Sequence, residues 1–334
     1  MSMAMDMYYG DPGSGKTRAL IEMVRRNHTL TGKKARVLIG DGSRSMWDQI
    51  AEEGGIAGIA EFVTRDFPFT TCQQFTEGWW PVDANDPKSL MRKLTPQEMT
   101  DTNLWIYEGA SVMGNYMMGD KQGGLAQRAA DGESLGGDYT VGFTDSKEYK
   151  FGGNSVIHYN LAQRHLLQDI LRSKALPGMV IWSAHERMDD GQRSEGMAKG
   201  SGGSKYTIGE KKVGPELVGK ALTQTISRDF GNTLHFTTVT KKEQEGTDPL
   251  TGKTKYLNKT EYRVYTRDHF DPEGIVSLKY IAVNRCVSDD PDAMPEYLVS
   301  DKPGQNVIEF YNIVEREKAK KKAEQGNKAV LKTV

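Results

Sequence analysis

The sequence predicts an α/β protein with a mostly parallel, doubly wound sheet and helices on both faces. Short apolar runs typical of buried strands alternate with amphipathic helical patterns through most of the 334 residues, and this alternation is characteristic of a parallel sheet. A glycine-rich loop joins the first strand to the first helix, and polar residues follow several of the apolar runs. After this core we expect a β-rich extension and a basic helical tail.

The individual elements follow from hydrophobic spacing. In the first helix, Leu20, Ile21 and Val24 are spaced to lie on one buried face. The strands are shorter apolar runs bounded by glycine or polar residues. The predicted strands are residues 3–9, 35–40, 59–64, 104–107, 178–184 and 233–240. The predicted helices are residues 17–30, 45–52, 155–173 and 216–227.

The loop after the first strand matches the phosphate-binding pattern G-x-x-x-x-G-K-[ST] at every fixed position. Its glycines permit backbone geometries in which successive N–H groups point at phosphate oxygens. Lys16 can reach the β- and γ-phosphates, the Thr17 hydroxyl can bind Mg²⁺, and the following helix adds its positive end. We therefore predict a P-loop that binds a nucleoside triphosphate and Mg²⁺. The predicted nucleotide-contacting residues are Gly10, Asp11, Pro12, Gly13, Ser14, Gly15, Lys16, Thr17 and Arg18.

A P-loop enzyme also needs an acidic side chain at the end of a neighbouring buried strand, to bind Mg²⁺ or to orient the attacking water. The best candidate is Glu108, which follows the apolar run Leu-Trp-Ile-Tyr, although aspartate is more usual there. Asp41 ends the second strand and Asp66 follows the third, and either could orient the water. The predicted metal ligands are Thr17, Glu108 and Asp41, and the predicted catalytic residues include Lys16 and Glu108.

His185 is the third predicted catalytic residue. It follows the apolar run at 178–184, and ligands of open α/β sheets lie at the carboxyl ends of the strands. A polar side chain there could contact the γ-phosphate and report its loss to the residues that follow.

The chain is expected to comprise a core of residues 1–245, a β-rich extension of residues 246–312 and a basic tail of residues 313–334. Two glycine-rich, polar stretches interrupt the core, at about 119–155 and 189–214. We interpret both as flexible insertions.

Composition limits the possible function classes. Lys and Arg total 44 against 45 Asp and Glu, a net charge of −1, so any DNA contact must come from a local patch. Cys72 and Cys286 are far apart, which argues against a disulfide framework or a zinc site. No run approaches the roughly 20 apolar residues that span a bilayer, and a secretory signal is not evident. We therefore expect a cytoplasmic protein without a membrane partner.

With these pieces in order, the chain resembles the RecA-like P-loop ATPases, and in particular the phage-encoded ATP-dependent single-strand annealing proteins. The resemblance rests on the segments YGDPGSGKT, LWIYEGAS, NLAQRHLLQDILRS, VIWSAHE and PELVGKAL. It implies a RecA-like core, ATP and Mg²⁺ as cofactors, self-association into a ring or filament, and action on single-stranded DNA in recombination or replication. The host cytoplasm is the implied location.

Other functions remain open at this point. The P-loop would also serve a DNA-packaging or translocation motor, a nucleotide-gated assembly switch without catalysis, or a small-molecule kinase. For DNA contact, the two insertions supply basic residues, with Tyr206 available for base stacking. A basic residue from a neighbouring subunit could complete the nucleotide site.

Overall fold

Alternating strands and helices build the chain up to residue 189, and strands dominate after it. The computed structural model describes residues 5–41, 43–53, 55–64, 68–119, 156–189, 192–194, 206–208, 211–217, 225–247, 254–270, 278–285 and 293–331. The strands are β1 (Met5–Gly10), β2 (Lys34–Ile39), β3 (Ala60–Thr64), β4 (Trp79–Pro81), β5 (Met91–Lys93), β6 (Thr102–Glu108), β7 (Met179–Asp189), β8 (Gln192–Ser194), β9 (Tyr206–Ile208), β10 (Lys211–Pro215), β11 (Asn232–Thr247), β12 (Thr254–Tyr265), β13 (His269–Phe270), β14 (Leu278–Tyr280), β15 (Val283–Asn284) and β16 (Tyr297–Ser300). The helices are α1 (Lys16–Thr31), α2 (Arg44–Glu52), α3 (Pro68–Thr76), α4 (Pro96–Asp101), α5 (Ala110–Gly119), α6 (Val156–Ser173) and α7 (Gln305–Leu331).

The central sheet has the strand order β3-β2-β6-β7-β1-β11-β12-β16. Every neighbouring pair from β3 to β11 is parallel, whereas β12 and β16 run antiparallel to their neighbours. The predicted α/β class with a mostly parallel sheet is confirmed. Because β7 separates β1 from β6, the two strands that lead to the P-loop and to Glu108 lie about 10 Å apart. This spacing opens a cleft at the carboxyl edge of the sheet.

Helices cover both faces of the sheet. One face, with Tyr9, Trp105 and Trp182, packs against α3, α5 and α6. The opposite face, with Tyr8 and Ile106, packs against α1, α2 and α7. The alternation of buried side chains along each strand explains why the strands are apolar throughout, since both faces are inside the protein. None of the helices in the described ranges is long and apolar enough to cross a membrane.

The C-terminal region continues the same sheet. The expected boundary at residue 245 falls inside β11, and β11 pairs with β12 along almost its whole length. The terminal helix begins at Gln305, eight residues before the expected tail. Its first half is buried through Val307, Phe310 and Val314, whose helical spacing places them on one face against α1.

Two predicted elements differ from the structure in their extent. The strand expected at 178–184 continues to Asp189, because residues 186–189 pair with β10 in an antiparallel ladder. Of the helix expected at 216–227, residues 216 and 217 are irregular, Thr225 is helical, and Ile226–Asp229 continue as a 3-10 helix. Residues 218–224 of that prediction lie outside the described ranges, as do Asp66, Cys286, most of the 119–155 insertion and much of the 189–214 insertion.

Candidate active site

The P-loop connects β1 to α1 through glycines in conformations that other residues rarely adopt. Gly13 and Gly15 have φ angles of 81° and 93°. Gly10 has a φ of 152°, and a Cβ atom at Gly10 would lie 2.0 Å from the carbonyl oxygen of Phe236. The loop therefore depends on glycine for two different reasons, backbone conformation and the close approach of β11.

The Lys16 ammonium group is folded back onto its own loop. Its Nζ donates hydrogen bonds to the carbonyl oxygens of Gly10 and Asp11, both at 2.8 Å, and to Ser14 Oγ at 3.4 Å. Burial lowers the pKa of Lys16 to about 8, against the opposing effect of nearby carboxylates, of which Glu186 is the strongest. Lys16 therefore still carries its positive charge at neutral pH, but it loses its proton more readily than an ordinary lysine.

Glu108 lies across the cleft from α1, at the end of β6. Thr17 Oγ1 donates to Glu108 Oε1 at 2.5 Å, and Trp47 Nε1 donates to Glu108 Oε2. The carboxyl group is 2% exposed. Burial, assisted by the negative charge of Asp41, raises the pKa of Glu108 to about 7. The structure thus brings together two of the predicted metal ligands, Thr17 and Glu108.

Asp41 follows β2 and approaches the same cleft. Its side chain packs against Gly109, where an added Cβ would lie 3.0 Å from Asp41 Cβ. Asp41 Oδ1 accepts a hydrogen bond from the backbone N–H of Ser43 at 2.9 Å, which fixes the turn into α2. Asp41 therefore lines the same cavity as Thr17 and Glu108.

His185 also lines the cleft, although it lies within β7 rather than after it. It is level with Gly10 in the β1–β7 ladder, so it marks the point where β1 ends and β7 continues. Its backbone N–H donates to Ser111 Oγ at 2.8 Å. Its buried Nδ1 has no hydrogen-bond partner among the described residues. His185 therefore lines the cavity, while its Nδ1 atom is enclosed by the protein.

A cavity of about 400 Å³ unites these groups. Its walls include Lys16, Thr17, Arg18, Asp41, Glu108 and His185. The walls also include Met46, Tyr262 and Pro303, which were not predicted as site residues from the sequence. Pro303-Gly304 is a recognisable turn before a helix, but no local pattern indicates that this turn reaches the P-loop 290 residues earlier.

A hydrogen-bonded acidic pair lies beside the P-loop, in a second cavity. Asp11 hydrogen bonds to Glu186, and Glu186 Oε2 lies 2.9 Å from His235 Nε2. Burial lowers the pKa of His235 to about 3, and it raises the pKa of both carboxyl groups. His235 is therefore neutral at physiological pH, and the acidic pair accounts for much of the negative potential around Lys16.

The donor set fits Mg²⁺ held jointly by protein and nucleotide. No three His, Cys, Asp or Glu side chains of the described ranges form a metal-binding group. One hydroxyl and one or two carboxylates, completed by water and phosphate oxygens, are the usual protein share of a Mg²⁺ site. Thr17 and Glu108 would hold the ion directly or through water, with Asp41 beside them.

No protein-family model matches the chain, and no curated protein matches its sequence. Among solved structures, the chain is similar to a KaiC-like protein from the hyperthermophilic archaeon Pyrococcus horikoshii. That match covers 82% of this chain and 88% of the other at 8% identity, with a TM-score of 0.33. A score this low carries no argument about function, which must rest on the geometry of the cleft.

Proposed function

We propose that this chain is a Mg²⁺-dependent P-loop ATPase of the RecA-like kind. The observation that carries the proposal is the contact between Thr17 and Glu108 inside the cleft, 2.5 Å between their oxygens. A P-loop hydroxyl and a strand-end carboxylate meet there at the N-terminus of α1, where a triphosphate would lie. A glycine-rich turn that matched the motif by chance would not be expected to show this arrangement.

The side chains divide the work of hydrolysis between them. Lys16 leaves the carbonyl oxygens of its loop and binds the β- and γ-phosphates. Thr17 and Glu108 would hold Mg²⁺, which would supply positive charge to the phosphates. Hydrogen bonds to both of its oxygens hold the Glu108 carboxyl group in place, so Glu108 would orient the ion. Asp41, whose Oδ1 accepts a hydrogen bond from the backbone of Ser43, orients the attacking water. His185 contacts the γ-phosphate.

A turnover assay tests the proposal. We expect Mg²⁺-dependent release of phosphate from ATP, lost by at least about a hundredfold in Lys16→Ala and Glu108→Gln. Glu315→Gln, an exposed carboxylate on α7, is the matched control and should retain full turnover. ATP binding without turnover in the native protein would instead establish a nucleotide-gated switch. Transfer of phosphate to a metabolite rather than to water would establish a kinase.

Single-stranded DNA and self-association remain part of the proposal. Their support is the resemblance to single-strand annealing proteins and the basic outer half of α7, where Lys318, Lys321 and Lys322 are exposed. Stimulation of ATP turnover by single-stranded but not duplex DNA would favour this partner over a packaging motor. The stimulation should fall steeply with salt, because phosphate contacts release counterions.

A further inference from the structure

The nucleotide cleft has one wall that comes from the C-terminal region rather than from the P-loop core. Tyr262 lies on β12 and Pro303 in the turn before α7, and both line the cavity. A Cβ atom added to Gly15 would lie 3.0 Å from Pro303 Cβ and 3.2 Å from Tyr262 Cδ1. The two side chains therefore press directly against the loop that binds phosphate.

This wall is firmly built. Gly304, with a φ of 91°, packs so closely on the first turn of α1 that an added Cβ would lie 2.9 Å from the backbone nitrogen of Ala19. The buried side chain of Asn306 donates from Nδ2 to the carbonyl oxygen of Tyr262 at 3.2 Å. Backbone pairing between β12 and β16 places Tyr262 opposite Ser300. The turn, the strand and α1 thus fix the tyrosine relative to the P-loop.

The direction of a bound triphosphate places its base at this wall. The terminal phosphate must lie near Lys16 and Glu108, and the chain of phosphates then follows the N–H groups of the first turn of α1. A triphosphate bound in this direction would have its α-phosphate toward Arg18, which also lines the cavity, with the ribose and base beyond it. Of the cavity residues on the side of Gly15 and Arg18, Tyr262 and Pro303 are those that offer flat apolar surface.

We propose that Tyr262 and Pro303 form the surface against which the flat base of the nucleotide packs. The inference rests on the proposed nucleotide function and assigns the base to a site outside the P-loop motif. In the described part of the chain, Tyr262 makes no contact with another aromatic ring, unlike Tyr265 and Tyr297 on the same sheet. Tyr262 is half-buried and lines the cavity, and base–aromatic stacking contributes appreciably to nucleotide affinity.

Comparing ATP with inorganic tripolyphosphate separates base contacts from phosphate contacts. Calorimetric titrations with Mg²⁺ should show that the native protein binds ATP more tightly than tripolyphosphate. Tyr262→Ala should weaken ATP binding about tenfold and leave tripolyphosphate binding within about twofold, and Tyr262→Phe should retain ATP affinity. Tyr256→Ala is the matched control, because Tyr256 lies on the same strand and face but is 62% exposed.

The outcomes distinguish this inference from the proposed function. Lys16→Ala should weaken both ligands, and if it weakens neither, the proposed function itself fails. The base assignment is overturned if Tyr262→Ala leaves ATP binding unchanged, or weakens ATP and tripolyphosphate equally. It is also overturned if Met46→Ala, on the opposite wall, is the variant that selectively weakens ATP. Unchanged tripolyphosphate binding in Tyr262→Ala shows at the same time that the variant is folded.

Discussion

Thr17 and Glu108 are joined across the nucleotide cleft by a hydrogen bond of 2.5 Å from Thr17 Oγ1 to Glu108 Oε1. Trp47 donates to the second carboxyl oxygen. A metal ligand must turn an oxygen lone pair toward the ion, and the Thr17 hydroxyl retains its lone pairs while its proton is donated to Glu108. Mg²⁺ therefore competes with the proton that burial favours on Glu108, but not with this hydrogen bond.

The first prediction concerns the acid side of the pH profile. The pKa of Glu108 is raised to about 7, so its carboxyl group is largely protonated below pH 7 in the free protein. Mg²⁺ binding requires the ionised carboxylate. The affinity for Mg·ATP should therefore fall from pH 8 to pH 6, by up to about tenfold per pH unit below the pKa. Isothermal titration in Glu108→Gln supplies the control, since the protonation of ATP itself is common to both proteins. Equal slopes in the two proteins would refute the assignment.

The second prediction concerns the alkaline side and Lys16. Its pKa of about 8 means that the free protein loses this proton above pH 8, whereas bound phosphates favour the ammonium form. Nucleotide affinity should consequently fall by up to about tenfold per unit between pH 8 and pH 10. Unlike the acid limb, this limb should persist in EDTA and in Glu108→Gln. An affinity that stays constant to pH 9.5 would show that the lysine has an ordinary pKa.

The third prediction uses two neighbours of Glu108 that act on its pKa in opposite directions. Asp41 raises that pKa by charge repulsion, and the hydrogen bond from Trp47 lowers it. Asp41→Asn should therefore shift the acid limb of Mg·ATP binding to lower pH, and Trp47→Phe should shift it to higher pH. The same titrations measure both midpoints. Shifts of the same sign in the two variants would indicate a general loss of the site instead of an electrostatic effect.

The fourth prediction separates the two roles of glycine in the P-loop. Gly10→Ala should destabilise the protein by more than about 3 kcal/mol, since its Cβ would overlap the carbonyl group of Phe236. Gly13→Ala should cost only about 1 to 2 kcal/mol, because its φ is 81° but nothing lies within 4 Å of the added atom. Urea denaturation without nucleotide compares the pair. A larger loss in the Gly13 variant would contradict the close approach of β11.

The sequence allowed prediction of the parts of this molecule that are encoded locally. The P-loop occupies consecutive residues with a fixed spacing, and the strand that ends at Glu108 is a continuous apolar run. Both signals are contained within a few residues, and the parallel sheet follows from the alternation of such runs. The length of β7 was underestimated because its last residues are polar and gain their strand partner only from β10.

The parts that could not be predicted depend on contacts between distant segments. Tyr262 and Pro303 reach the nucleotide cleft only because β12 joins the sheet beside β11 and α7 then returns across α1. The hydrogen bond from Trp47 to Glu108 similarly joins residues 61 positions apart. An indole in an amphipathic helix predicts burial, but it does not predict which acceptor lies beside it.

The fifth prediction concerns the attachment of α7 to the strand that carries the P-loop. Asp6 of β1 is fully buried, and Tyr311 of α7 donates to its Oδ2, while Asn232 donates twice to Oδ1. Tyr311→Phe removes that donor to Oδ2 together with the hydrogen bond to Tyr8, and it should lower the free energy of unfolding by about 2 to 3 kcal/mol, mainly because one acceptor is a buried carboxyl group.

Tyr8→Phe is the matched variant for this last prediction. Tyr8 and Tyr311 share a hydrogen bond of 2.9 Å between their hydroxyl oxygens, so Tyr8→Phe removes a bond between two neutral groups and should cost only about 1 kcal/mol. Urea denaturation at constant pH measures both changes. If Tyr8→Phe were the more damaging, the pairing of Asp6 with Tyr311 would not be what attaches α7 to β1. With the attachment as described, the helix that delivers Pro303 to the cleft is secured to the same strand that delivers the P-loop.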